Sequence, residues 1–384
     1  MIVILLSSAI AFRTPAGQVY APGRETQSDL GDIEPLIDPA KIAWTQMNGP
    51  PGGNIRKLVQ NPYRHNELYA LSGNRLYRSR DKGENWQLVD KLRNMPVECV
   101  IPFKDGLFVC GDRVYYCDDQ DNPKKILDEW FDQITISDNK LFVTGTRGRI
   151  EDFRILYTDL SSQNFDWKVI TPSQAVLSDL VPPPKDIGFP SDVRPSNVIA
   201  IGNRILVNIV LLVQGSGQFS NGHLYSSEDL GKSWSKVDLD MPDGTVISNI
   251  IQDPQNPNHI ILTLKHTIMH EAKSSLSKLI VQSFNGGRTW SPVTDLTFQS
   301  NGITDVDIVN STHYIVCPFD GCIIKLSGSE DYEIMSMPTV KGFEGVTFFL
   351  DTLLFDLDDP NIVYGKTGST WNYGLIKSED NMKT

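Results

Sequence analysis

Short apolar or alternating segments, each broken by Gly, Pro, Asn or Asp, recur from Ile42 to the end of the chain. Ile55–Val59, Val97–Pro102, Gln133–Ser137, Val198–Ile201, Val246–Ile251, Ile303–Val309 and Thr347–Phe355 are the clearest, and each pattern predicts a strand. Several run into a Pro-Asn turn: Gln60-Asn61-Pro62, Asp253-Pro254-Gln255-Asn256-Pro257 and Asp358-Asp359-Pro360-Asn361. Pro presets φ and Asn or Asp tolerates the left-handed region, so each is a tight reversal. The next strands then begin at Glu67-Leu68-Tyr69, His259-Ile260-Ile261 and Ile362-Val363-Tyr364.

A second signal recurs at the far end of these segments. Tyr77–Trp86 contains Ser79, Asp81, Gly83 and Trp86; Ser227, Asp229, Gly231 and Trp234 repeat that spacing; Ser283, Asn285, Gly287 and Trp290 repeat it with Asn in the Asp place. A fourth copy starts at Ser378 and Asp380 and stops at Thr384 before any Trp. The Asp carboxylate suits capping of turn amides, Gly supplies the left-handed residue, and Trp covers the turn. Each copy therefore reads as a self-capped corner between two antiparallel strands. Degenerate corners follow Cys117, Thr158 (with Trp167) and Ser327. The six intervals from Ser79 to Ser378 average about fifty residues, near the range of propeller blades. Seven blades are expected, and the strand at Ile42–Met47 places Trp44 to finish the last corner, which would otherwise leave an open sheet edge.

The pattern Ser-x-Asp-x-Gly-x-x-Trp resembles the Asp-box, or bacterial neuraminidase repeat, of sialidases, sortilin-type receptors and xyloglucanase-like glycoside hydrolases. This resemblance covers Ile42 to Thr384 and implies an all-β β-propeller whose boxes lie away from the binding face; with the corner spacing, a seven-bladed one is expected. The expected organisation is a signal-like segment at 1–21, an exposed leader at 22–41 and one propeller at 42–384.

Composition narrows the function. The formal charge is −12, with 35 Lys and Arg against 47 Asp and Glu, which argues against a nucleic-acid partner because phosphate neutralisation needs a positive field. The apolar run Met1–Ala11, ending Ala9-Ile10-Ala11, resembles a signal-peptide core without its basic lead, so a secreted or periplasmic location is expected. It is too short for a membrane span, and no later segment is long enough. The five Cys (Cys99, Cys110, Cys117, Cys317, Cys322) lack metal-ligand spacing; no metal or cofactor is expected, and one or two disulfides remain open. A monomer that binds a polysaccharide or a protein is the expectation these features leave.

In a propeller, loops joining second to third strands, and one blade to the next, share the face opposite the boxes. In blade 3 that loop holds Arg147, Arg149 and Arg154, which could grip a carboxylate bidentately or simply pair with Glu151 and Asp152. Thr171–Asn197, with Lys185 in its Pro-rich stretch, is longer than a blade link needs. Gln214–Gly222 is Gly-rich and reads as a flexible lip. His266 and His270 flank the fifth-blade loop beside Glu271; in an irregular loop they do not make a metal site. Trp371 and Tyr373 offer rings for a sugar or a peptide anchor.

An enzyme needs more than boxes. Phe12-Arg13-Thr14-Pro15 nearly matches the sialidase Phe-Arg-Ile-Pro motif but abuts the signal-like run, and the candidate arginines cluster in one loop instead of circling the ring. Asp152, Asp186, Glu271, Asp320 and Glu344 are the carboxylates expected on this face, and a glycoside hydrolase would draw its acid pair from Asp152, Glu271, Asp320 and Glu344, with the separation defining that chemistry. No nucleophile elbow, His-Glu-x-x-His or P-loop occurs. A non-catalytic binding module is the leading expectation, with an Asp-box glycoside hydrolase or an assembly-factor propeller as alternatives.

Overall fold

The computed structural model describes residues 43–50, 55–145, 152–162, 164–177, 191–213, 219–239, 245–266, 274–275, 279–294, 299–300, 303–327, 331–340, 348–369 and 372–382. The described strands form the seven blades of a β-propeller, six of them four-stranded and antiparallel and the seventh carrying a fifth strand, Thr339–Val340, in parallel pairing. Blade 1 is typical: Ile55–Gln60, Leu68–Ser72, Arg75–Ser79 and Gln87–Leu88 pair in that order. The innermost strands of blades 2 to 7 are Val97–Phe103, Gln133–Ser137, Ser191–Ile201, Thr245–Gln252, Asp305–Val309 and Leu350–Phe355.

The seventh blade is completed by the N-terminal strand Ala43–Gln46, where Thr45 pairs with Lys377 and Gln46 with Ile376. In blades 1, 4 and 5 the residue before the corner Ser pairs with the residue after the Trp: Arg78 with Gln87, Ser226 with Ser235, Gln282 with Ser291. Lys377 opposite Thr45 follows the same rule and puts Trp44 where Trp86, Trp234 and Trp290 sit. Tyr157 opposite Lys168 does likewise for Trp167 in blade 3. Trp44 is the most buried of this set, 1% exposed, because Ala43 and Trp44 also pair in parallel with Thr339 and Val340.

The core lies between blades, where the apolar face of one sheet packs on the next. Phe142, Ile155 and Tyr157 of blade 3 meet Val198, Ile205, Val207 and Tyr225 of blade 4. Trp44, Leu353, Val363 and Ile376 of blade 7 meet Tyr314, Val316 and Ile323 of blade 6.

Two loop expectations are corrected. Phe219–Gly222, read as part of a lip, belongs to the strand Phe219–Ser227, and Ser191–Asn197, read as loop, belongs to the eleven-residue strand Ser191–Ile201. Gly weighs against a strand when taken locally, but Arg204–Val213 is a ten-residue β-branched and Leu-rich strand that pairs along both neighbours. Blade 4 thus extends toward the loop face.

Candidate functional site

The two faces differ in what their polar groups do. On the corner face, the hydroxyl of Ser79 donates to Asp81 Oδ1 (2.7 Å) and accepts the amides of Asp81 (3.3 Å) and Gly83 (2.8 Å). Asp81 in turn accepts the Asn85 amide at 2.9 Å and its side chain at 2.8 Å. Ser227 and Asp229 reproduce this set with Gly231 and Ser233; Ser283 does so with Asn285, whose Oδ1 accepts the Thr289 amide at 2.9 Å. Asn replaces Asp there because the corner needs an oxygen acceptor, not a charge. In the fourth copy Ser378 donates to Asp380 at 2.9 Å and accepts the Met382 amide at 3.0 Å. Met382 occupies the Gly place at φ +61°, following Asn381 at +57°.

Bonds from the Ser233 side chain and amide hold Asp229 down at about 2, so its charge is retained far into acid. The blade 1–blade 7 seam lies on this face too. Buried Asp356 accepts Gln60 Nε2 (3.0 Å) and Lys82 Nζ (2.9 Å), while Gln60 Oε1 accepts the Leu357 amide at 3.0 Å. Burial pushes Asp356 up, but Lys82 and the Asp358 and Asp359 amides outweigh it and leave the carboxyl below its usual range. The corner face has therefore spent these polar groups internally.

On the loop face, Gly145 pairs with Arg154 at the neck of the blade 3 loop; Arg154 is exposed and donates to the Phe153 carbonyl at 2.8 Å, with Asp152 half-buried beside it. In blade 5 His266 ends the second strand opposite Thr245. The short pair Ser274–Ser275 with Gln299–Ser300 ties the blade 5 loop to the link into blade 6. Ser300, 2% exposed, donates to Asp320 Oδ2 at 2.7 Å, so Asp320 is anchored by its neighbour. Asp320 sits in the turn Pro318–Asp320, closed by left-handed Gly321. Tyr373 lies in the strand Asn372–Ser378, opposite Gly368. Arg147, Arg149, Lys185, Asp186, His270, Glu271, Glu344 and Trp371 lie outside the described residues. Among the described residues no group of three His, Cys, Asp or Glu is arranged to hold a metal ion.

Among the ionisable residues on the innermost strands that escaped the loop-based reading are Lys57, Asp305 and Asp307. These strands line the centre of the ring; at their ends, Ser137 of blade 3 donates to the Ala200 carbonyl of blade 4 at 3.0 Å and to Gln252 of blade 5 at 3.1 Å. Inner strands have one unpaired edge, and blade 6 covers part of blade 7's. Asp305 Oδ2 accepts the Leu353 amide at 3.1 Å, and Asp307 accepts the amides of Ile308, at 2.8 Å, and Phe355. Both are half-buried. Burial, then the neighbouring Asp307 charge, pushes Asp305 up to about 7; burial pushes Asp307 up to about 6. Burial pushes the Lys57 ammonium down. Asp-Val-Asp-Ile-Val was the available signal: its acids alternate with apolar residues on a strand otherwise reading as core.

No family model matches the sequence, and no curated protein does. Solved structures match the fold. YCF48 from Cyanidioschyzon merolae aligns over 88% of this chain and 98% of its own, at TM-score 0.54 and 14% identity. The extracellular domain of BT4673 from B. thetaiotaomicron aligns over 88% and 40%, at TM-score 0.55 and 9% identity. A catalytically inactive virginiamycin B lyase from Staphylococcus aureus, solved with quinupristin, aligns over 87% and 97%, at TM-score 0.53 and 11% identity. At these identities the likeness defines a class, the seven-bladed β-propellers, and no particular member of it. No described helix is long and apolar enough to cross a membrane.

Proposed function

We propose that this chain is a non-catalytic, extracytoplasmic binding propeller that recognises a polysaccharide or a protein through the loop face opposite its Ser–Asp corners. The observation that carries the reading is the asymmetry of blade 4. Its second strand runs ten residues where the other six second strands run five to seven. At roughly 3.3 Å per residue the excess raises a wall of about 10 Å or more beside the channel mouth. Internal satisfaction of the corners supports treating them as Asp-boxes, fold elements with no ligand role. The Cys99–Cys110 disulfide, with Cα atoms 5.2 Å apart, supports an oxidising compartment.

An Asp-box glycoside hydrolase is the competing reading. Anchoring of Asp320 by Ser300 counts against its use as a mobile acid, while Asp152, Glu271 and Glu344 stay its candidates. Binding to immobilised glycans or proteins without hydrolysis of labelled glycosides is the expected result. Turnover that disappears in Asp152→Asn or Glu271→Gln would overturn the proposal.

A further inference from the structure

Two of the cysteines left as thiols face each other. Cys317 ends the second strand of blade 6 (Thr312–Cys317), Cys322 begins the third (Cys322–Leu326), and they are direct partners in the antiparallel register. Residues so paired carry their side chains on the same face of the sheet, with Cα atoms about 4.5–5.5 Å apart, inside the window a disulfide requires. Both are buried, at 0% and 6% exposure, and their thiols are hydrogen-bonded to one another. Blade 2 supplies an internal comparison: Cys99 and Cys110 stand in the same cross-strand relation and are bridged. Cys117, buried on the third strand of that blade, is opposite Leu107.

We infer that Cys317 and Cys322 form a second cross-strand disulfide, a covalent clasp across the base of the Pro318–Gly321 turn on the loop face. The oxidant is a disulfide of the glutathione class or a disulfide-bearing oxidoreductase. One thiolate attacks a sulfur of that disulfide and expels the first thiol; the other thiolate then displaces the second. The two cysteines lose two protons and two electrons, and the oxidant leaves as two thiols. The hydrogen bond with Cys322, and then burial, hold the Cys317 thiol well above the usual range, so the folded pair exchanges slowly. Closure belongs to folding, when the short intervening turn brings the two sulfurs together before neighbouring blades cover them. The clasp fixes a turn already held by the Met337 amide on the Gly321 carbonyl (3.1 Å) and by Ser300 on Asp320.

Counting thiols tests this without a variant. The full chain is unfolded and reduced, refolded with oxidised and reduced glutathione, then denatured and alkylated. One alkylated residue, Cys117, and a peptide spanning Cys317 and Cys322 lighter by two hydrogens are expected. Alkylation of Cys317 and Cys322 under conditions where Cys99 and Cys110 are protected would overturn the inference, as would a bridge from either of them to Cys117. Cys117→Ser assigns the remaining thiol and should leave no alkylation in the refolded protein.

Discussion

Replacing the channel pair Asp305 and Asp307 by Asn should reshape how stability depends on pH. An acid whose pKa is higher in the fold than in the unfolded chain stays protonated in the fold after the unfolded chain has released its proton. Its contribution is therefore complete below the unfolded value of 3.8 and is lost as pH rises through the folded values of about 7 for Asp305 and about 6 for Asp307. At 1.36 kcal/mol per unit these shifts correspond to about 4 and about 3 kcal/mol at most. Both carboxyls keep partial solvent exposure, which screens part of this, and the two charges are coupled, so ~3 kcal/mol for the pair is the figure to look for. His313, pushed down to about 4 mainly by burial, pulls the other way, because a buried neutral imidazole gains stability as pH rises. The wild-type curve mixes these slopes, and the difference between wild type and Asp305→Asn/Asp307→Asn isolates the pair. Asn keeps an oxygen for the Leu353 and Phe355 amides. Urea unfolding followed by Trp fluorescence from about pH 4.5 to about pH 7.5 should show the variant gaining on wild type by ~3 kcal/mol as pH rises. A difference that stays constant across the range would refute the raising of these carboxyls by burial.

Other perturbations test the corners and the closure. Ser227→Ala leaves the Gly231 amide without its 2.7 Å acceptor in a buried corner and should cost about 1–3 kcal/mol by denaturant titration. Gly231→Ala puts a Cβ at φ +82° and 2.4 Å from Ile170 Cβ, so a loss at the upper end of that range is expected, with Gly73→Ala, where nothing lies within 4 Å, as the milder control. Trp44→Ala empties the contact between blades 6 and 7 and should cost about 3–5 kcal/mol, read as a lower thermal midpoint.

The corners were legible because their chemistry is local: a hydroxyl, a side-chain oxygen and a left-handed residue within five positions close the turn wherever it occurs. Blade number followed from their spacing. Trp44 was legible only through the geometric need to close the ring, since its partner strand is more than three hundred residues away. Met382 shows where the motif stops being a guide: the backbone adopts the left-handed place without Gly when the Ser378 hydroxyl still holds it. Blade 4 was misjudged at Phe219–Gly222 because turn-forming residues outweighed the long apolar partner Arg204–Val213, a tertiary effect. Asp305 and Asp307 were passed over for the same reason, as their role is set by the inner edge of a different blade. Pairing of Cys317 with Cys322 is a matter of register, which a count of cysteines does not contain.

The central claim is that ligand is held by the loop face and the corner face is structural. Affinity for a glycan or protein identified on an immobilised array should be measured for two charge-reversal variants. One is Asp152→Arg/Arg154→Glu on the loop face; the other is Arg80→Glu/Lys232→Glu in the corners. The account predicts that the first weakens binding by about tenfold or more, roughly 1.4 kcal/mol, while the second leaves it unchanged. Loss of binding in the corner variant with retention in the loop-face variant would contradict it.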